Sequence, residues 1–199
     1  MSLLGFFKKM SAPDPTAQLK QEHDRFRALL EQAQKTTERS ALRRKKIFAE
    51  FSALLALHET VEERVLYAAL KKHAKTEPIV QEGFQEHHLA DLLMAELKTM
   101  AVTDADWGAK FHVMGEGVEH HLKEEEDDMF PLVKRVLSEK QLAQIVERMA
   151  KIRNAPTIPR RTPKGSRPSS MPPTKATKAS RTRAKSSAKI AAKSARKSA

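Results

Sequence analysis

Apolar residues recur at steps of three and four positions in four stretches of the chain, which is the spacing of one buried face of an α-helix. These four faces comprise, in order, Leu19, His23, Phe26 and Leu30; Phe48, Phe51, Leu55, His58, Glu62 and Val65; Val80, Phe84, His87, Met94 and Leu97; and Trp107, Phe111, Met114, Val118, His121 and Glu125. The spacing is helical rather than alternating, so the fold is predicted to be all-α. Short connections make neighbouring helices antiparallel, which predicts an up-down-up-down four-helix bundle.

Capping and helix-breaking residues set the predicted boundaries of these helices. Asp14-Pro15 begins the first helix with a cap followed by proline at the first helical position, and the second helix runs from about Glu38 to Lys72. Thr76-Glu77-Pro78 begins the third helix, and Thr103–Asp106 resembles a capping box that opens the fourth. Pro131 is predicted to end or kink the fourth helix.

A short fifth helix and two flanking segments complete the predicted organisation. Ser138 caps the fifth helix, which is expected to pack across one end of the bundle through Leu142, Ile145, Val146 and Met149. Residues 1–13 are predicted to form a flexible N-terminus, residues 14–153 the helical domain, and residues 154–199 a disordered tail.

The tail differs sharply from the rest of the chain in charge. Residues 155–199 contain 13 Lys and Arg and no acid, whereas residues 1–154 contain 24 basic and 25 acidic residues, so the tail accounts for the whole of the chain's formal net charge of +12. Its Lys, Ala, Ser and Pro repeats resemble the C-terminal tails of linker-histone-like proteins, and they bury too little surface to fold. We expect residues 155–199 to bind nucleic acid through phosphates, independently of sequence. A solubilising tail, or one attracted to acidic lipid or protein, is the alternative.

Composition also excludes several classes of protein. The chain has no cysteine, which rules out disulfides, zinc thiolate sites and thiol nucleophiles. No stretch approaches the 18 or so apolar residues of a membrane-spanning helix, and the first nine residues do not form a secretory signal. A cytoplasmic localisation is therefore expected, with association to the nucleoid if the tail binds DNA.

Histidine and glutamate repeat on the predicted buried faces. His58 and Glu62 are four residues apart, as are His121 and Glu125, so each pair lies on one helical face one turn apart. His23 precedes the first pair by 35 residues and His87 precedes the second by 34, one histidine on each remaining helix. Burying two carboxylates and four imidazoles in a bundle core is costly unless a cation binds them, so the pattern predicts a buried site for two metal ions.

The donor types indicate which metal the site would bind. Mixed nitrogen and oxygen ligands with two carboxylates that can bridge suit a pair of iron ions, and less often manganese or zinc. His23 and His58 are predicted to bind one metal, His87 and His121 the other, and Glu62 and Glu125 to bridge them. The four remaining histidines are expected on the flanks or surface: His73, His88, His112 and His120. Tyr67 is expected to be a hydrogen-bonded core residue rather than a redox relay.

These motifs resemble those of the hemerythrin-like, HHE cation-binding family over roughly residues 16–135. The matching segments are His23, His58–Tyr67, Glu86-His87, and His121–Pro131 with its Met129-Phe130-Pro131 ending. The resemblance implies a non-haem di-iron centre, bridged by carboxylates and an oxo or hydroxo group. It also implies chemistry with dioxygen, nitric oxide, peroxide or iron itself.

One feature departs from the oxygen-carrying members of that family, which supply five histidines, two of them four residues apart on the third helix. Here Asp91 lies one turn after His87, and no His-x3-His occurs anywhere in the chain. One metal therefore lacks a nitrogen ligand. Glu59, Asp91 or a water is expected to take its place.

Three functions are compatible with this pattern. The first is a di-iron protein that binds or senses oxygen, nitric oxide or iron and is tethered to nucleic acid by its tail, a binding protein more than an enzyme. The second is an enzyme in which the same centre turns over peroxide or nitric oxide, or donates iron for the repair of clusters. The third is a nucleoid-binding protein whose metal only stabilises the bundle.

Overall fold

The computed structural model describes residues 14–155, and within them the chain forms helices joined by short turns, with no β-strand. Five rods follow one another. Helix α1 is Pro15–Gln34, α3 is Glu77–Thr99 and α5 is Glu139–Arg153. Helix α2 spans 41–70 and α4 spans 105–136, and each contains an internal π-helical turn. The prediction of an all-α bundle with a short extra helix is confirmed.

The two π-helical turns divide the longest rods. In α2 the segment Ala41–Val61 is followed by the π turn Glu62–Leu66 and then by Tyr67–Leu70. In α4 the segment Ala105–Glu124 is followed by the π turn Glu125–Met129 and then by Phe130–Val136. Helices α2 and α4 therefore each contain one extra residue relative to a regular α-helix, in the turn that begins at the glutamate of the His-x3-Glu pair.

The structure corrects the predicted boundaries at three points. The second helix was predicted as one run from Glu38 to Lys72, but it begins with a 3₁₀ turn at Glu38–Ser40 and ends at Leu70. Pro131 does not end the fourth helix. It lies in the first turn of Phe130–Val136, where the preceding π turn has already shifted the hydrogen-bond ladder that the proline cannot join.

Helix caps follow the predictions except at α4. The Asp14 side chain accepts a hydrogen bond from the Thr16 backbone N–H at 3.1 Å, and Ser138 forms a capping box with Gln141. The predicted capping box at Thr103–Asp106 is wrong, because Asp104 alone caps α4 by accepting from the Asp106 N–H at 3.0 Å. An aspartate oxygen can satisfy one of the free N–H groups of a first turn without a reciprocal partner.

The core consists of two apolar clusters. One contains Leu19, Val61, Val65, Leu66, Tyr67, Leu70, Val80, Met129, Phe130 and Val133 together with Leu142, Ile145 and Met149 of α5. The other contains Phe26, Leu29, Ile47, Phe51, Leu55, Met94, Leu97, Trp107, Phe111, Met114, Val118 and Leu122. In α1, His23 falls between Leu19 of the first cluster and Phe26 of the second, so a layer of polar residues separates the two clusters. Helix α5 packs against α1 and α2 and completes the first cluster.

Three further findings concern the ends of the chain and its relation to membranes. No helix among residues 14–155 is long and apolar enough to cross a bilayer. The predicted flexible N-terminus of 1–13 lies outside the described residues. The same holds for the predicted tail beyond residue 155.

Candidate metal centre

The six residues predicted as ligands meet in the polar layer between the two apolar clusters, and each is at most 4% exposed. They form two adjoining groups whose potential ligand atoms lie within 4.8 Å of one another. The first group is His23, His58, Glu62 and Glu125, and the second is Glu62, His87 and His121. Helices α1 and α3 each contribute one histidine, whereas α2 and α4 each contribute a histidine and a glutamate.

The two carboxylates lie between the two pairs of imidazoles. Glu62 Oε1 is 3.2 Å from His58 Nε2, and its Oε2 is 3.4 Å from His87 Nε2. Glu125 Oε2 is 3.3 Å from His23 Nε2 and 3.8 Å from His121 Nε2. Each carboxylate therefore faces one histidine of either pair, which is the placement that a bridging ligand requires.

A second carboxylate fixes the orientation of every imidazole from the outside. The Nδ1 atoms of His23, His58, His87 and His121 lie at 2.9, 2.8, 3.2 and 2.8 Å from Glu126, Glu22, Glu63 and Glu86, respectively. An ionised carboxylate only accepts hydrogen bonds, so each Nδ1 carries the proton and donates it. Each Nε2 then presents a lone pair to the interior, as in metal-bound histidines that are oriented by an outer carboxylate.

The inward-facing atoms lack donors among residues 14–155. His23 Nε2, His58 Nε2, both oxygens of Glu62 and Glu125 Oε2 are buried without a hydrogen-bond partner there. His87 Nε2 and His121 Nε2 are 3.1 Å apart, although the outer carboxylates leave both with a lone pair. An unsatisfied buried polar atom costs about 1–3 kcal/mol. A cation among these atoms removes that cost, so the donor set fits a metal site.

Electrostatics inside the layer points to the same conclusion. Burial, and then the nearby Glu125, raise the pKa of the Glu62 carboxyl well above its usual range. Burial also acts to raise the pKa of Glu125, but the surrounding histidines, with His121 first, outweigh it and lower that pKa. Burial lowers the pKa of His58 to about 4, which keeps its imidazole neutral and able to bind a metal. Without a cation, the protein therefore disfavours the ionised form of Glu62, whereas a bound cation would stabilise the negative charges of both Glu62 and Glu125.

The site repeats itself within the chain. Glu22-His23 on α1 corresponds to Glu86-His87 on α3, and 58–67 on α2 corresponds to 121–130 on α4. The sequence predicted the repeated ligands but not the roles of the acids beside them. Glu22 and Glu86, which precede His23 and His87 in the sequence, accept hydrogen bonds from His58 and His121, respectively. The acids that follow the two candidate bridging glutamates accept from the histidines of α3 and α1: Glu63 from His87, and Glu126 from His23.

The π-helical turns place aromatic rings over two of the ligand histidines. The Tyr67 N–H bonds the carbonyl of Glu62 and the Phe130 N–H that of Glu125, each five residues back. One additional residue rotates the following side chains by about 100°. Tyr67 consequently stacks on His87 with ring centroids 5.4 Å apart, and Phe130 stacks on His23 with ring centroids 5.5 Å apart.

Two substitutions between the repeats make the two halves unequal. The buried Tyr67 hydroxyl donates a 2.8 Å hydrogen bond to Glu125 Oε1, whereas the equivalent Phe130 has no hydroxyl. Tyr67 is therefore a hydrogen-bonded core residue, as predicted, and its partner is a candidate ligand. Glu59 is 1% exposed, whereas its equivalent is the apolar Leu122.

The remaining histidines lie outside this layer. His88, His112 and His120 are exposed, as predicted, while His73 is half-buried in the turn before α3. Asp91, the alternative to Glu59 as a replacement for the missing histidine, is half-buried on α3. Glu59 is buried, and against the effect of burial its charge is among those that raise the pKa of His87.

The fold and the site together define a helical bundle with a buried histidine and glutamate centre suited to metal ions. The sequence model described as the hemerythrin HHE cation binding domain matches residues 14–133 of the chain. The chain therefore belongs to this family. No curated protein and no solved structure matched it in the corresponding comparisons.

Proposed function

We propose that the chain is a non-haem di-iron protein that binds or senses a small oxidant or iron. His23 and His58 would bind one ion and His87 and His121 the other, while Glu62 and Glu125 would bridge them. The observation that carries this proposal is the orientation of the four imidazoles. All four Nε2 lone pairs point at the same two carboxylates, and a separate carboxylate holds each ring in that orientation.

Iron accounts better than other metals for a donor set of four imidazoles and two bridging carboxylates. A bound pair of iron ions supplies reversible binding and redox chemistry toward dioxygen, nitric oxide or peroxide. The chain's own residues orient the ligands, exclude bulk water through the two apolar clusters and neutralise the ions' charge. Manganese and zinc remain the less favoured occupants.

Glu59 is the residue that we expect to replace the missing fifth histidine. It lies on α2 next to His58, is buried, and contributes to the electrostatic environment of His87. Asp91 lies on the same helix as His87 but is only half-buried. Glu59→Gln should therefore reduce the affinity for the iron ion proposed at His87 and His121 more than Asp91→Asn does.

The test is anaerobic loading with ferrous iron, followed by an absorption spectrum after oxygen is admitted. We expect two irons per chain and the absorption of a carboxylate-bridged diferric centre. The variant Glu125→Ala should bind less iron, while His112→Ala, at an exposed histidine of the same helix, should bind as much as the wild type. A chain that binds no iron, or binds it equally well as Glu125→Ala, would refute the proposal.

A second function, turnover of peroxide or nitric oxide, is favoured by the asymmetry of the centre. The Tyr67 ring stacks on His87 and its hydroxyl donates to Glu125, whereas Phe130, stacked on His23, has no proton to donate. A proton donor on one side of the centre suits turnover as well as binding. Steady consumption of peroxide by the iron-loaded chain, abolished in His121→Ala, would establish the enzyme. Donation of iron for cluster repair uses the same ligands.

The tail adds a proposed partner. We infer from its charge that residues 155–199 tether the domain to nucleic acid through phosphate contacts that do not depend on sequence. The same basic tail supports the third candidate, a nucleoid-binding protein whose metal is structural. Redox activity of the iron-loaded chain would count against that candidate.

A further inference from the structure

A second cluster of potential ligands lies on the surface of the bundle, outside the buried centre. It consists of Glu86 on α3 and the pair His120 and Glu124, one helical turn apart on α4. His120 Nε2 is 3.2 Å from Glu124 Oε1 and 3.9 Å from Glu86 Oε1. The three side chains are 65%, 30% and 17% exposed for His120, Glu124 and Glu86, so the cluster is open to solvent.

The internal repeat shows what the chain places at the equivalent point of its other half. Glu22 corresponds to Glu86, and each uses its Oε2 atom to accept from the Nδ1 of a centre histidine. The Oε1 atom of Glu22 binds the guanidinium of Arg153 at 2.8 Å. In the first half, therefore, Arg153 of α5 places a positive charge beside the outer carboxylate of Glu22.

The other half offers donors of a different kind. Glu86 Oε1 faces His120 at a distance too long for a hydrogen bond, with Glu124 beside it. The residues equivalent to His120 and Glu124 in the first half are Leu57 and Val61, which cannot bind a cation. Of these two equivalent positions, the one without the guanidinium is the one that brings a nitrogen donor and a second carboxylate beside the outer carboxylate.

We propose that Glu86, His120 and Glu124 bind a divalent transition-metal ion such as Zn²⁺ at the surface. Metal–ligand bonds of 2.0–2.1 Å in a tetrahedral site place the donor atoms roughly 3.3 Å apart. The 3.2 Å separation between His120 and Glu124 is close to that value, and the 3.9 Å separation between His120 and Glu86 closes with a small movement of the exposed imidazole. Three protein ligands leave one position for water or an exchangeable ligand.

This surface ion would be joined to the buried centre by one carboxylate. Glu86 offers Oε1 to the surface cluster, while its Oε2 accepts the Nδ1–H of His121. A cation on Oε1 withdraws electron density from that carboxylate and weakens its hydrogen bond to His121. Occupancy of the surface site should therefore change the absorption spectrum of an iron centre bound within the bundle.

The experiment is a calorimetric titration of the iron-loaded full chain with Zn²⁺, with the released iron measured in parallel. The wild type should bind one equivalent of Zn²⁺ without releasing iron. His120→Ala and Glu124→Gln should each weaken that binding by about tenfold or more, since outer-shell changes alone cost 10–100-fold. Neither residue contributes to the buried clusters.

The matched control is His112→Ala. His112 and Glu116 form the same His-x3-Glu pair on the same helix, with 3.5 Å between the imidazole and the carboxylate. Among residues 14–155 this pair belongs to no group of three potential ligands. The control variant should therefore bind Zn²⁺ as the wild type does.

Three results would overturn the proposal: no binding of Zn²⁺, binding matched by an equal release of iron, or equal affinities in His120→Ala and His112→Ala. The last of these includes the case in which His120 only forms an ion pair with Glu124. The comparison of the two histidine variants holds whichever ion occupies the buried centre, so its failure is distinguishable from failure of the proposed function.

Discussion

Replacing Tyr67 by phenylalanine tests the asymmetry of the centre with the loss of a single oxygen atom. The ring should keep its place on His87, because Phe130 occupies the equivalent position over His23. What is lost is the 2.8 Å hydrogen bond from the Tyr67 hydroxyl to Glu125 Oε1, which lies wholly inside the protein.

The size of the effect follows from the burial of both partners and the charge of the acceptor. A hydrogen bond to a charged group contributes about 1.5–3 kcal/mol, and its loss leaves Glu125 Oε1 without its donor. For a domain of this size, each kcal/mol corresponds to roughly 2–4 °C in melting temperature. Tyr67→Phe should therefore melt roughly 3–12 °C below the wild type.

Thermal unfolding followed by circular dichroism measures this difference, with both proteins loaded with the same metal. Tyr67→Leu is the matched comparison, because it loses the stacked ring together with the hydroxyl and should melt lower still. A Tyr67→Phe variant that melts with the wild type would show that the hydroxyl contributes nothing to Glu125. Equal losses in the two variants would assign the whole effect to the hydroxyl and none to the ring.

Three further predictions concern the ligands, the outer carboxylates and the tail. Glu62→Ala should lower the metal content and the melting temperature together, because metal binding stabilises the folded state; unchanged iron stoichiometry, measured by elemental analysis, would exclude bridging by Glu62. His58 and Arg153 lower the pKa of Glu22 against the effect of burial, so its contribution to stability is present above the unfolded pKa and is lost as the pH falls through the lowered value. Arg153→Met should therefore shift acid unfolding, followed by fluorescence, to higher pH, whereas Lys151→Met, at an exposed pair on the same helix, should not. Truncation after Asn154 should abolish retention on a DNA column and leave metal binding intact; a truncated chain that is still retained would place the nucleic-acid contact in the bundle.

Helical periodicity was sufficient to predict the six inward-facing residues at the centre. A residue three or four positions from a buried leucine or phenylalanine lies on the same face of a helix, so His23 and His58 had to point into the core. The repeat then indicated that α3 and α4 contribute in the same way. Caps such as Asp14 were also predictable, because a side chain bonding a backbone N–H two residues on is a local event.

The features that depend on tertiary contacts could not be predicted in the same way. The π turns at Glu62 and Glu125 shift hydrogen bonds from four residues to five, and no residue type marks that shift in a sequence. The pairing of Arg153 with Glu22 joins residues 131 positions apart. Of the outer carboxylates, Glu63 and Glu126 were visible in the sequence as part of the two motifs. Their histidine partners, which lie on other helices, were not.

The asymmetry of the repeat separates what the fold requires from what this chain adds. Two histidines in each half, each backed by a carboxylate, build the frame of the centre. Against that frame, Tyr67 and Glu59 of the first repeat stand where the second has the apolar Phe130 and Leu122, bringing a hydrogen-bond donor and an acid to a buried core. Buried polar groups are costly without a compensating interaction, so their restriction to one of the two repeats argues that the two proposed metal positions differ in function.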